Sequence, residues 1–120
     1  MHPLYDEANE VVEKLRAARL EVVRLSAELA RAEYDLRVTQ ARVERKWIEK
    51  AGGEKALAPT AEDRTRILLV ALDADEEYKA ALGRRDALVL RLEEARVEAD
   101  ALRSRLSVIL AAMRAEEGTG

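Results

Sequence analysis

Apolar residues recur in alternating steps of three and four along nearly the whole chain, in two long runs. The first run is Leu4, Ala8, Val11, Leu15, Ala18, Val22, Leu25, Leu29, Ala32, Leu36, Thr39 and Val43. The second is Ile67, Ala71, Ala74, Tyr78, Ala81, Arg85, Leu88, Leu92, Ala95, Ala99, Leu102, Leu106, Ile109 and Met113. Only Thr39 and Arg85 break the apolar pattern. This spacing keeps each run on one side of an α-helix, and two such seams pack as a coiled coil. The fold class expected is all-α: a long antiparallel two-helix hairpin with a short extra helix or kink at its tip. Thr39 and Arg85 are expected to form a polar layer that fixes register.

Punctuation between the runs sets the expected boundaries within a single helical-hairpin domain, 1–120. The first helix is read as 4–50, with Pro3 at its start, where a missing N–H leaves no bond unmade. Asp6, Glu7, Glu10 and Glu13 load its beginning with negative charge; Arg42, Arg45, Lys46 and Lys50 load its end with positive charge. Both biases complement the helix dipole. Gly52-Gly53 stops it. The tip connection is 51–60. Thr60, followed by Ala61-Glu62-Asp63, reads as a helix cap, so a short helix is expected over 61–72. Ile67-Leu68-Leu69-Val70-Ala71-Leu72 is apolar all round, which predicts burial on more than one side. A break or kink is expected at Asp73–Asp75, where either aspartate can cap the next helix, read as 75–115; the alternative is one continuous helix with a solvated acidic turn. Gly118-Thr119-Gly120 reads as a frayed end.

A second apolar line runs along the far side of the first helix: Leu20, Val23, Ala27, Ala30, Tyr34, Val38 and Ala41. The last helix carries a weaker counterpart in Leu82, Val89, Leu90, Val97, Ala101, Val108 and Leu110. A lone hairpin leaves both lines in water, so the expectation is self-association, as a homodimer forming a four-helix bundle or as a higher oligomer.

Composition narrows the picture. Charged residues make up 38% and aromatics only 3% of the 120 residues, the profile of long helices rather than of a mixed core. The formal net charge of −3 argues against a strongly basic nucleic-acid coat. With no Cys, disulfides and thiolate metal sites are excluded. No apolar run reaches about 18 residues, so no membrane span is expected. The start carries no signal-peptide pattern, and a cytoplasmic location is the default expectation.

Candidate chemistry is sparse. The single His, His2, stands at the terminus, and no nucleophile has a neighbouring base, so no enzyme activity is expected. Asp73, Asp75, Glu76 and Glu77 lack the Gly and distal Glu of a Ca²⁺ loop, and neither metal nor cofactor is expected. The tip is the richest region. Trp47 lies among Arg45, Lys46 and Lys50; Lys55, Arg64 and Arg66 follow across the loop. Between Arg42 and Arg66 seven basic residues face five acidic ones, a locally positive balance. Trp and Arg dominate protein hot spots; the same residues can grip phosphates or stack on a base; and Trp47 with Ile48 can simply close the hairpin against Ile67, Leu68 and Leu72.

Around this tip, Trp47, Gly53-Glu54-Lys55-Ala56-Leu57, Ala61-Glu62-Asp63-Arg64 and Asp75-Glu76-Glu77-Tyr78 resemble a pattern in small uncharacterised α-helical hairpin proteins of bacteriophages and mobile elements. The resemblance covers about a third of the chain. It implies an accessory protein acting by binding in the host cytoplasm, a modulator of a host system. The function expected is therefore a non-enzymatic, oligomeric coiled-coil protein with a macromolecular partner. The alternative is a nucleic-acid or nucleotide binder, including a nucleotide sponge, that uses the basic Trp47 tip.

Overall fold

A computed structural model of the chain describes residues 3–119. It consists of α1 (Pro3–Ala51), α2 (Glu54–Leu57), α3 (Ala61–Ala74) and α4 (Glu76–Thr119), with no strand among the described residues. Helix α1 packs antiparallel against α4, the expected hairpin. Backbone contacts group into two compact units. The first joins α1 as far as Ala27 to α4 from Val89 onward; the second is Glu28–Leu88.

The first unit is a plain two-helix seam. Ala8, Val11 and Ile109 form its buried cluster, with Leu4, Leu102, Leu106 and Met113 packed against it. Leu15, Leu25 and Leu92 are buried along the same line. Each Leu or Val taken out of water contributes roughly 1.5–3 kcal/mol, so this narrow row is the main stabilising feature of the unit. At its edge Arg105 donates to Glu7 across the two helices at 3.2 Å.

The second unit adds α2 and α3 to the α1–α4 pair, and its buried residues come from α1, α3, α4 and the joint after α2: Thr39, Val43, Ala58, Ala71, Leu72 and Ala81. Its three breaks between helices are set by local hydrogen bonds. Gly53 N donates to Ile48 O at 2.9 Å and Gly52 N to Glu49 O at 3.1 Å, the paired bonds that close a helix C-terminus. Gly52 has φ +96° and Gly53 φ +128°, a region where side chains with a Cβ are strained. Thr60 then caps α3, its Oγ1 accepting from Asp63 N at 3.1 Å. Asp75 is extended; its N–H donates to Leu72 O at 3.1 Å, and its Oδ1 accepts from Tyr78 N at 2.8 Å. One residue thus ends α3 and caps α4.

Every residue of the first seam is buried or half-buried, and so is every residue of the second except Ala74. Ala74 is exposed because the helix ends there and Asp75 turns away. The structure corrects several boundaries. The connection 51–60 contains the one-turn helix α2; α3 reaches Ala74 rather than 72; α4 reaches Thr119 rather than 115. Gly118, expected to fray, is helical, while Gly120 and His2 lie outside the described residues. The apolar run of α3 is buried on one side only: Ala71 and Leu72 are buried, while Leu69 and Val70 face solvent. The expected polar layer is also not formed as such. Thr39 is buried, but Arg85 is half-buried and turns its Nε to Asp86 at 2.8 Å. Arg42 of α1 meets Glu77 of α4 at 3.0 Å, an exposed pair across the two helices. No buried side-chain nitrogen or oxygen among the described residues lacks a partner.

Candidate interaction surfaces

Two surfaces stand out from the solvated remainder, the outer side of α1 with its counterpart on α4, and the Trp47 tip. The outer side follows from helix geometry. Leu20 is five residues from both Leu15 and Leu25, so it stands about 140° round the helix from each. The seam buries those two, and Leu20 is 64% exposed. Val23 is 66% exposed, and Ala27 beside it is open to solvent. In the second unit the same side of α1 exposes Ala30, Tyr34 and Val38, with Tyr34 at 60%. The pattern also includes two residues that the sequence reading passed over, Tyr5 and Val12, both exposed. Their spacing, seven residues apart and eight before Leu20, was the available signal.

Helix α4 repeats the arrangement in the first unit. Val97 is five residues from Leu92 and from Leu102, and is 68% exposed between them. Leu90, Ala101 and Val108 continue its exposed line, and Glu93, Glu94, Glu98 and Arg105 border a shallow groove along it. Leu82, by contrast, is half-buried in the second unit and does not belong to that line.

The tip residues do not converge on one face. Trp47 follows Val43 by four residues and so continues the seam side of α1, yet it is 42% exposed. Ile48 is half-buried, as are Ile67 and Leu68, and Leu72 is buried. Lys50 comes three residues after Trp47 and shares its side. Arg45 stands two residues from both Val43 and Trp47, about 160° away. Arg64 is committed to the fold: its guanidinium donates to Ala58 O at 3.0 Å, where Ala58 is buried. Arg66 is balanced by Glu62 at 3.4 Å and Asp63 at 3.7 Å. Arg45, Lys46, Lys50 and Lys55 are exposed and make no ion pair among the described residues. The seven-residue basic set of the sequence reading thus separates into fold-bound arginines and four dispersed cations.

The acidic stretch after α3 is similarly divided. Asp75 caps α4, Glu76 meets Lys79 at 3.0 Å, and Glu77 meets Arg42. Among the described residues no group of three His, Cys, Asp or Glu side chains is placed to hold a metal ion. No helix there is long and apolar enough to cross a membrane. Among the described residues one carboxyl is perturbed. The hydrogen bond from Arg24 holds Glu21 below the usual carboxylate range, with the charges of Arg24 and Arg91 acting in the same direction. The Arg24 Nε–Glu21 Oε2 distance is 2.9 Å, an exposed ion pair one turn apart on α1. Such a pair is ordinary helix-surface chemistry and does not mark a proton-transfer site.

Comparison with protein-family models, with curated proteins and with solved structures finds no match to this chain.

Proposed function

We propose that this chain is a helical interaction protein, acting by contact between surfaces and not by catalysis. Its seam makes the hairpin; the outer side of α1 associates copies of the chain; the Trp47 end meets a second protein. The observation that carries this reading is the exposure of Leu20, Val23 and Tyr34, large apolar side chains set opposite a fully formed seam. Apolar residues that recur along one exposed helix side, rather than scattered singly, mark an interaction surface. Trp47, half out of the seam and flanked by Lys46 and Lys50, has the residue types that anchor protein contacts. The commitment of Arg64 and Arg66 to neighbouring groups favours a protein partner over a phosphate-rich one. The resemblance to phage and mobile-element hairpins supports an accessory protein that acts by binding.

The test is the combined variant Leu20→Glu, Val23→Glu and Tyr34→Glu, measured by light scattering after size exclusion, with circular dichroism as the control for folding. The reading expects an oligomeric wild type and a helical, monomeric variant. A helical variant that keeps the wild-type mass would remove the outer side of α1 from any association.

A further inference from the structure

In the last turns of α1 the covered side moves round the helix. Val43 is buried on the seam. Glu44 and Ile48, about 100° and 140° round from it, are half-buried. Trp47, about 40° from Val43, is 42% exposed, and Lys50, about 20° from it, is exposed. The seam side is thus left open at Trp47 and Lys50. Lys46, exposed one turn before Lys50, adds a second cation beside them. Neither lysine makes an ion pair among the described residues. The carboxylates of this end are engaged or stand elsewhere. Glu44, on the Ile48 side, accepts from Gln40 at 3.0 Å. Glu49 is about 160° round from Trp47. Glu62 and Asp63 hold Arg66, Glu76 holds Lys79, and Glu77 holds Arg42. Asp73 lies on the outer side of α3, one turn from the exposed Leu69 and Val70. Glu54 and Lys55 are adjacent at the start of α2 and offset one another.

We infer that the face formed by Lys46, Trp47 and Lys50 docks an acidic protein segment, which seats an apolar side chain on the indole and carboxylates on the two lysines. This rests on the reading that the Trp47 end meets a second protein, and it names that partner's chemistry. A tryptophan supplies a large apolar area and anchors protein contacts. Unpaired lysines beside it draw carboxylates and repel basic partners, which sets the choice of partner more than the strength of binding. A nucleic acid fits this face poorly. Holding a phosphate backbone takes many cations at once. Two lysines on one face of a chain with net charge −3 do not supply them.

The experiment titrates the full chain with a peptide of repeating Glu-Glu-Leu-Glu, followed by anisotropy of a fluorescein label and, with unlabelled peptide, by Trp47 emission. The same peptide with Lys in place of Glu and a mixed-sequence oligonucleotide are run beside it. The acidic peptide is expected to bind, to change Trp47 emission, and to bind more weakly as salt rises to about 0.5 M. Lys46→Glu/Lys50→Glu and Trp47→Ala, each checked for unchanged helicity, are expected to weaken binding at least about tenfold. Arg45→Glu, on the other side of the helix, is expected to change it by less than about twofold. An equal loss in Arg45→Glu would overturn the face assignment in favour of diffuse attraction. Tighter binding of the Lys peptide, with Trp47 emission responding, would overturn the acidic partner and leave Trp47 as a protein contact. Tighter binding of the oligonucleotide would overturn it in favour of a nucleic acid. No binding of either peptide up to about 1 mM would overturn both this inference and the reading of the Trp47 end as a protein contact.

Discussion

Leu25 and Leu20 are the same residue on the same helix, five positions apart, with opposite environments. Leu25 is 2% exposed in the seam and Leu20 is 64% exposed on the far side. Chemistry does not distinguish them; angular position does. The seam has its partner within the chain, because α4 carries a matching line at the same step. The outer side has none within the chain, so any stabilisation it provides has to come from another molecule. The contrast separates the residues that fold the hairpin from those available for association.

The strongest way to sharpen that contrast is substitution on each side. Leu25→Ala should lower unfolding free energy by about 3 kcal/mol in urea denaturation, within the range for a buried leucine that leaves a cavity. Leu20→Ala, measured in dilute protein, should change it by less than about 0.5 kcal/mol. Equal effects at the two positions would mean that Leu20 is already covered.

Next come the caps that shape the second unit. Asp75→Ala removes the acceptor for Tyr78 N and should destabilise by about 1 kcal/mol, and Thr60→Ala should do the same for the start of α3. Asn at position 75 should retain most of the stability, since it can accept the same bond. A stabilising change of similar size is expected at Gly83. It lies inside α4, and an added Cβ would meet nothing within 4 Å, so Gly83→Ala should raise stability by about 0.5–1 kcal/mol. A loss instead would reveal a second chain lying close to that position.

The smallest effect concerns pH. The carboxyl of Glu21 is held low in the folded chain by Arg24. Its contribution is therefore present above the unfolded carboxylate value, about 4.3, and disappears as pH falls through the lower folded value. Glu21→Gln should reduce, slightly, the stability lost between neutral pH and about pH 3. An unchanged acid dependence would show that the exposed Arg24 pair contributes nothing.

Much of the fold was legible in the sequence because one rule governs most of it. A seam at alternating three- and four-residue steps needs no knowledge of distant contacts, and Gly52-Gly53 and Thr60 act within a few residues. The errors fall where the outcome depends on neighbours. Leu69 and Val70 look buried by composition, yet α3 covers only one of its sides. Arg85 looks paired with Thr39 from its place in the run, but its guanidinium turns to Asp86, the next residue along, which the seam spacing does not encode. The tip was misleading for the same reason. Arg64 and Arg66 read as free cations until Ala58, Glu62 and Asp63 come within reach of them.

The most direct measurement is sedimentation equilibrium of the wild-type chain over a wide concentration series. If the outer side of α1 is an association surface, the weight-average mass rises above the 13.4 kDa of one chain as concentration increases, and falls back to it on dilution. A mass that stays at one chain up to several hundred micromolar, with α-helical content intact, would contradict the account: Leu20, Val23 and Tyr34 would then be no more than exposed helix-formers.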